Sequence, residues 1–327
     1  MLEYIAFPPM QPLEERSALR QGSGNAVAHH GEILQGVFEV PRGCLCRALV
    51  TLRSEVFWSE ATFSPDSSGV VVSEDGWRVK AARAVELAVA LSGVTGCGGR
   101  LRIRSNIPPG WGLGSSTSDV TAAVRAVGES LGVQLSQQMI AELAVKAETA
   151  SDSTMFDDRA LLFAQRRGVL IEDLGDPLPN LEVLGFNTDP AGVDTVSFPP
   201  ARYSWEEIEA FRPLLGLLRQ AVRRQEPELC GRVATASARI NQRYLPKPHF
   251  NRLEKLVESV GAVGLQVAHS GTVVGLLFEP ADVAKEDRIG EARAALAELG
   301  VAGVWRFQTR PGLRRRPDHG WREERPS

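Results

Sequence analysis

The sequence predicts an α+β fold, and three observations carry that prediction. Strand-like segments are grouped early, helical segments fill the middle, and two short apolar runs flank a Gly/Ser turn late in the chain. The regular strand–helix alternation of a parallel sheet is missing. With 327 residues, 43% of them hydrophobic and 24% charged, the chain is long enough for a sizeable core in one large domain or two ordinary ones.

Each element has a local reason. Residues 1–24 are polar and Pro-containing and read as a loosely ordered arm. Residues 45–58 and 69–73 are rich in β-branched and apolar residues bounded by turn chemistry, and read as strands. Residues 78–92 are Ala/Leu-rich and helical, whereas 100–105 (RLRIRS) alternates strictly, as a half-buried strand does. Beyond a Pro/Gly loop, Val120, Val124, Val127 and Leu131 recur at helical spacing. Ser136 is placed to cap a helix carrying Ile140, Leu143 and Ala147. Residues 168–172 and 181–186 read as strands, and Ser204 to Glu207 has capping-box spacing ahead of a helix. Helices are expected over 227–243, 250–260 and 285–299, and strands over 262–268, 272–278 and near 301–307. From Arg310 onward the Pro/Gly/Arg-rich stretch has few aliphatic residues and reads as a disordered tail.

Composition excludes several function classes. Lys and Arg number 37 against 40 Asp and Glu, a formal charge of −3, which is not the basic footprint of a nucleic-acid binder. No run of 18 apolar residues predicts a membrane span, and the N-terminus lacks the pattern of a signal peptide, so a cytoplasmic location is expected. The four cysteines do not make a disulfide scaffold or a zinc site; Cys44 and Cys46 read as small buried hydrophobes. Oligomeric state is left open, a homodimer included.

The segment Asn106 to Asp119 (NIPPGWGLGSSTSD) carries the chemistry. A strand enters it and a helix leaves it. Gly110, Gly112 and Gly114 let the backbone approach a ligand closely. Ser115, Ser116 and Thr117 stand where a helix starts, with free N–H groups and the positive end of its dipole, an arrangement that binds phosphate. Hydroxyls there also suit magnesium. No Lys follows the glycines, so this is not a Walker A loop, and G-x-G-x-G is not the dinucleotide fingerprint.

Pro109 to Thr117 resembles the second motif of the GHMP family of small-molecule kinases, a Pro-rich entry followed by G-x-G-L-G-S-S and a helix. Ala28 to Gly36 (AHHGEILQG) looks like that family's first motif, and Val267 to Gly275 (VAHSGTVVG) like its third, in the expected order. A narrower resemblance joins Gly31–Gly36, Asp152–Phe156, Asn241–Pro248 and Ala268–Thr272 to the bacterial L-threonine kinase branch, which makes L-threonine O-3-phosphate for cobalamin. His29-His30 depart from that branch, as does the spacing before Asp152.

The resemblance implies a GHMP kinase fold, with a ribosomal-protein-S5-like N-terminal domain over residues 25–175 and a ferredoxin-like C-terminal domain over 176–309. It implies ATP and Mg2+ as cofactors, and transfer of a phosphoryl group to a small hydroxy amino acid. Residues Pro109, Gly110, Trp111, Gly112, Leu113, Gly114, Ser115, Ser116 and Thr117 would hold the nucleotide. Ser116, or Ser115 in its place, and Glu148 would hold magnesium. Asp152 is the general-base candidate, its plainer reading being a helix N-cap. Gly31, Glu32, Ser270, Gly271 and Thr272 would line the acceptor pocket, with Glu32 orienting the substrate or, as the alternative, paired as a buried charge. A solvated helix carboxylate is the plainer reading of Glu148, and core or rim packing that of His29, His30 and His269, whose other reading is acid–base or ligand work. Lys247 beside Pro248 reads equally as a contact for an anionic group or as a surface residue. Trp58 and Trp77 are read as core residues rather than parts of an adenine pocket. Alternative functions are a kinase for homoserine, serine, a sugar or a specialised metabolite, or a catalytically silent sensor on the same fold.

Overall fold

The computed structural model describes residues 20–40, 43–157, 159–189, 201–301 and 303–309. The expected arm up to residue 19 and the expected tail from residue 310 lie outside the described residues. The first half is built on two long antiparallel strands, β1 (Gly22–Val40) and β2 (Cys44–Asp66), followed by β3 (Val71–Ser73), α1 (Val79–Leu91), β4 (Gly98–Ser105), α2 (Ser115–Leu131) and α3 (Gln137–Glu148). Two short strands, β5 (Leu161–Ala164) and β6 (Val169–Asp173), lead to the second half. That half runs β7 (Glu182–Asn187), α4 (Trp205–Arg224), α5 (Pro227–Asn241), α6 (Phe250–Ser259), β8 (Gly264–Val267), β9 (Val273–Phe278), α7 (Lys285–Glu298) and β10 (Val304–Gln308).

Helices and strands mix as an α+β fold should, and the second half has the expected ferredoxin-like order. One sheet runs β10-β7-β9-β8-β1-β2-β4-β3, so the four late strands stand in the order fourth, first, third, second. Helices connect β7 to β8 and β9 to β10. The two halves of the sheet join between β1 and β8 at a single pair, Glu32 opposite Val267. Glu32 therefore stands on the seam.

Packing follows the periodicity. Val120, Val124 and Val127 of α2 and Ile140 and Leu143 of α3 are buried with Ala84 and Ala88 of α1 against Phe63 and Leu101 of the sheet. Helices α6 and α7 cover the late strands through Leu253, Ile289 and Leu296. A further cluster joins Ala28, Leu34 and Leu52 to Val183, Phe211 and Leu277, drawing side chains from both sides of residue 175. Fully burying one such Leu, Val or Phe side chain is worth about 1.5–3 kcal/mol. Ser136 caps α3 by accepting from the Met139 N–H at 3.2 Å, and Ser204 and Glu207 complete the capping box of α4.

Four expectations are corrected. Strand β1 begins at Gly22, so residues 22–24 belong to the sheet and not to an arm. Trp77 is 68% exposed rather than packed in the core, and the Arg78 guanidinium lies 4.4 Å from its ring centroid. Of the two cysteines expected to be buried, Cys46 is buried while Cys44 is exposed. Asp152 precedes no helix: residues 150–157 form a turn between α3 and β5, so it is not an N-cap. Among the described residues, no helix is long and apolar enough to cross a membrane.

Candidate active site

The site is assembled where the α2 entry loop, the β8–β9 turn and the middle of β1 meet. Gly114 caps α2 in the left-handed region at φ 69°, and no side chain caps the first turn. The cap is therefore glycine, with Ser115, Ser116 and Thr117 inside the helix. The N–H groups of that turn are left to a ligand, the arrangement that receives an anion. Gly112, at φ 86°, runs so close to the β8–β9 turn that a Cβ there would overlap the Ser270 carbonyl. The Thr272 N–H donates to the Trp111 carbonyl at 3.0 Å, and the His29 N–H to the Leu113 carbonyl at 3.2 Å, so this loop is clamped to both neighbouring motifs.

Not every loop side chain faces the site. Pro109 and Gly110 are exposed at the tip. Leu113 is 1% exposed and packs into the core, so only its backbone is available to a nucleotide. Trp111 stacks on Trp305, with ring centroids 6.1 Å apart. The Ser116 hydroxyl donates to Glu148 Oε2 at 2.5 Å and the Thr117 hydroxyl to Glu148 Oε1 at 2.9 Å. The Asp152 N–H reaches back to Thr117 Oγ1 at 3.4 Å, which ties the two carboxylates to one helical turn.

Glu148 ends α3 and is buried, contrary to a solvated position. Burial pushes its carboxyl up to about 7, against the two hydroxyl donors, with the Asp152 charge adding to the rise. A buried carboxylate with only hydroxyl partners, beside a serine of an anion-binding turn, is a hard-oxygen donor set that fits magnesium. This gives a testable sign. The folded carboxyl titrates near 7 and the unfolded one near 4.5, so between these values the folded state keeps a proton that the unfolded chain has lost. Stability without a cation therefore falls as pH rises through that window and stays lower above it. At about pH 8 Glu148→Gln should be more stable than the parent by up to about 3 kcal/mol, with the difference vanishing at low pH. Added Mg2+ should raise the melting temperature of the parent and not of the variant. Equal responses to Mg2+ in thermal melts would refute the assignment.

The other side of the site turns on a bulge in β1. Strict alternation would put His29 and Gly31 on one face and His30 and Glu32 on the other. Gly31, at φ 106°, breaks the register between His29 and Glu32 and brings the Glu32 carboxylate round to His29. Glu32 accepts from the His269 N–H and from His269 Nδ1, each at 2.7 Å, and its Oε1 lies 3.2 Å from His29 Nδ1. Burial opposes charge on Glu32, but His269 and His29 outweigh it and hold the carboxyl well below the usual carboxylate range. Glu32 is thus the buried partner of two histidines.

Asp152 is 6% exposed, with Oδ2 at 3.4 Å from His29 Nε2 and Oδ1 at 3.7 Å from His269 Nδ1. A Cβ on Gly114 would stand 2.9 Å from Asp152 Oδ2, so this carboxylate is adjacent to the start of α2. Burial would lower His269, yet Glu32 and Asp152 raise it to about 9, and a quarter of its side chain is open to solvent. Burial likewise opposes charge on His29, and Asp152 and Glu32 raise it. His30 faces the other way, against Trp305 and Phe307, and burial lowers it to about 3. It alone of the three histidines fits core packing.

Lys247 is not a surface residue. It is 4% exposed and donates from Nζ to the Gly271 carbonyl at 2.6 Å. Burial lowers its ammonium to about 7, with Glu32 as the opposing charge. Of the third motif, Ser270 is half-buried beside Gly112, Gly271 supplies the carbonyl that holds Lys247, and the Thr272 hydroxyl is committed to Asn187 and to the Asp189 carbonyl. The histidines and Lys247 are the residues that the sequence underweighted. The histidines were signalled only by adjacency to the glycine motifs, and Lys247 only by the Asn241–Pro248 resemblance.

Residues 79–164 match the GHMP kinases N terminal domain. The L-threonine kinase of Salmonella typhimurium is 32% identical over 209 residues, covering 63% of this chain and 67% of that protein. The chain belongs to the GHMP kinase family. The L-threonine kinase of Citrobacter freundii is 33% identical over 180 residues, 55% of this chain and 62% of that protein. Among solved structures, homoserine kinase from Cytophaga hutchinsonii superposes with a TM-score of 0.68 at 17% identity, covering 91% of this chain and 97% of that one. The fold of that kinase is therefore shared across 91% of this chain.

Proposed function

We propose that this chain is an ATP-dependent kinase that transfers the γ-phosphoryl group to the hydroxyl of a small amino acid, L-threonine foremost, giving L-threonine O-3-phosphate. The observation that carries the reading is the pair of buried carboxylates flanking the first turn of α2, with Glu148 on the Ser116 and Thr117 hydroxyls and Asp152 beside Gly114. Phosphoryl transfer is largely positioning and charge stabilisation, and these groups are placed for both. The two L-threonine kinases among the relatives support the choice of acceptor.

In this reading the N–H groups of Ser115, Ser116 and Thr117 receive the triphosphate. Ser116 and Glu148 would hold magnesium, which when bound neutralises charge on the phosphates. Asp152 takes the proton from the acceptor hydroxyl, and His29, 3.4 Å from its Oδ2, stabilises the carboxylate until then. His269 and Lys247 offer positive charge at the acceptor side, suited to the carboxylate of an amino acid; Glu32 holds His269 in place.

The test is ADP release with ATP, Mg2+ and a panel of L-threonine, L-serine, L-homoserine and sugars. L-Threonine should give the highest kcat/KM. A higher value for another acceptor would reassign the substrate. If no acceptor stimulates turnover while one still raises the melting temperature with ATP, the chain is a sensor.

A further inference from the structure

Two imidazoles and two carboxylates converge where β1, the turn after α3 and the β8–β9 turn meet. His29, Glu32, Asp152 and His269 each offer a donor atom, and these atoms lie within 4.8 Å of one another. Around the cluster, His29 Nδ1 is 3.2 Å from Glu32 Oε1, which is 2.7 Å from His269 Nδ1. His269 Nδ1 is 3.7 Å from Asp152 Oδ1, and Asp152 Oδ2 is 3.4 Å from His29 Nε2. A tetrahedral zinc ion with bonds of ~2.0–2.2 Å holds its ligands roughly 3.3–3.5 Å apart. Glu32 and Asp152 face opposite ring nitrogens of His29, only one of which can bind the ion. With one donor atom per residue, the four lie within 4.8 Å and draw closer on binding.

An independent observation points to a ligand. His29 is fully buried, and neither of its ring nitrogens makes a hydrogen bond, although carboxylate oxygens stand at 3.2 and 3.4 Å. Buried polar atoms are rarely left so, and a bond from one of these nitrogens to a cation would satisfy it. The donor set also discriminates. Imidazole nitrogen suits zinc-class ions, whereas the all-oxygen group at Ser116 and Glu148 suits magnesium.

We propose that His29, Glu32, Asp152 and His269 form a binding site for a divalent transition-metal ion of the zinc class, separate from the oxygen site at Ser116 and Glu148. Ion binding replaces the hydrogen bond between His269 Nδ1 and Glu32 and releases the imidazole proton to solvent. An ion there also engages Asp152, leaving that carboxylate unable to accept a proton.

The experiment is a titration of the metal-free full chain with ZnCl2 alone, in competition with a chromogenic chelator. One zinc per chain is expected, bound at micromolar concentration or tighter. His269→Gln and His29→Asn should each weaken it by about tenfold or more. Glu148→Gln and Cys44→Ser should leave it unchanged, and Mg2+ in large excess should not displace it. Circular dichroism melts check that both variants keep the fold, since His269 is paired with the buried Glu32 and His29 is itself buried. No stoichiometric binding, binding indifferent to both histidine variants, or displacement by Mg2+ would each overturn the proposal. Zinc binding is read without turnover, so its failure is distinct from failure of the kinase reading.

Discussion

Asp152→Asn should lower kcat by roughly 100- to 10,000-fold while leaving ATP-analogue binding nearly intact. The substitution keeps size and shape but removes the basic lone pair that would accept the hydroxyl proton. The backbone N–H of residue 152 still reaches Thr117, so the α2 turn keeps its support. Steady-state kinetics with the preferred acceptor and calorimetric titration with a non-hydrolysable ATP analogue separate the two effects. A kcat within a few fold of the parent would remove Asp152 as the base. A large loss of analogue affinity would show that it serves the nucleotide loop instead.

Gly112→Ala should be the most damaging change of a single methyl group in the molecule. The residue sits at φ 86°, and its added carbon would overlap the Ser270 carbonyl and come 3.0 Å from the Gly271 Cα. Both obstacles are backbone and cannot swing aside. A cost of about 2–4 kcal/mol is expected from left-handed strain plus overpacking, with higher KM for both ATP and acceptor. Gly110→Ala is the internal control. At φ 78° and with nothing within 4 Å of an added Cβ, it carries only the conformational cost of ~1–2 kcal/mol. Chemical denaturation of the two variants decides it; equal losses would mean that the contact with Ser270 contributes nothing.

What could be read from the chain depended on how local the cause was. The helix over Ser115–Leu131 follows from valines at helical spacing, and the caps at Ser136 and Ser204 are contained within four residues each. The phosphate-binding turn is equally local, since its glycines, hydroxyls and helix are contiguous. Strand β1 was opaque because GSGNAVAHHGEILQG lacks apolar alternation. Its His29 and Glu32 face the site, and Gly24 lets α2 approach so closely that a Cβ would crowd the Ala126 N–H and the Arg125 side chain. The bulge at Gly31 then inverts the face of Glu32, which no period-two pattern reports. The Glu32–His269 contact spans 237 positions and exists only because β1 and β8 meet on the seam. Lys247 looked like a surface residue beside a proline. Its burial depends on the β8–β9 turn folding over it.

The clamp between Gly112 and the Ser270–Thr272 turn has a thermodynamic consequence. On the proposed kinase reading, the loop that would hold the phosphate donor and the turn that would line the acceptor share a close backbone approach and a hydrogen bond of 3.0 Å, which couples the ordering of one to that of the other. The two ligands then become effectors of each other. By linkage, the factor by which nucleotide tightens acceptor binding must equal the factor by which acceptor tightens nucleotide.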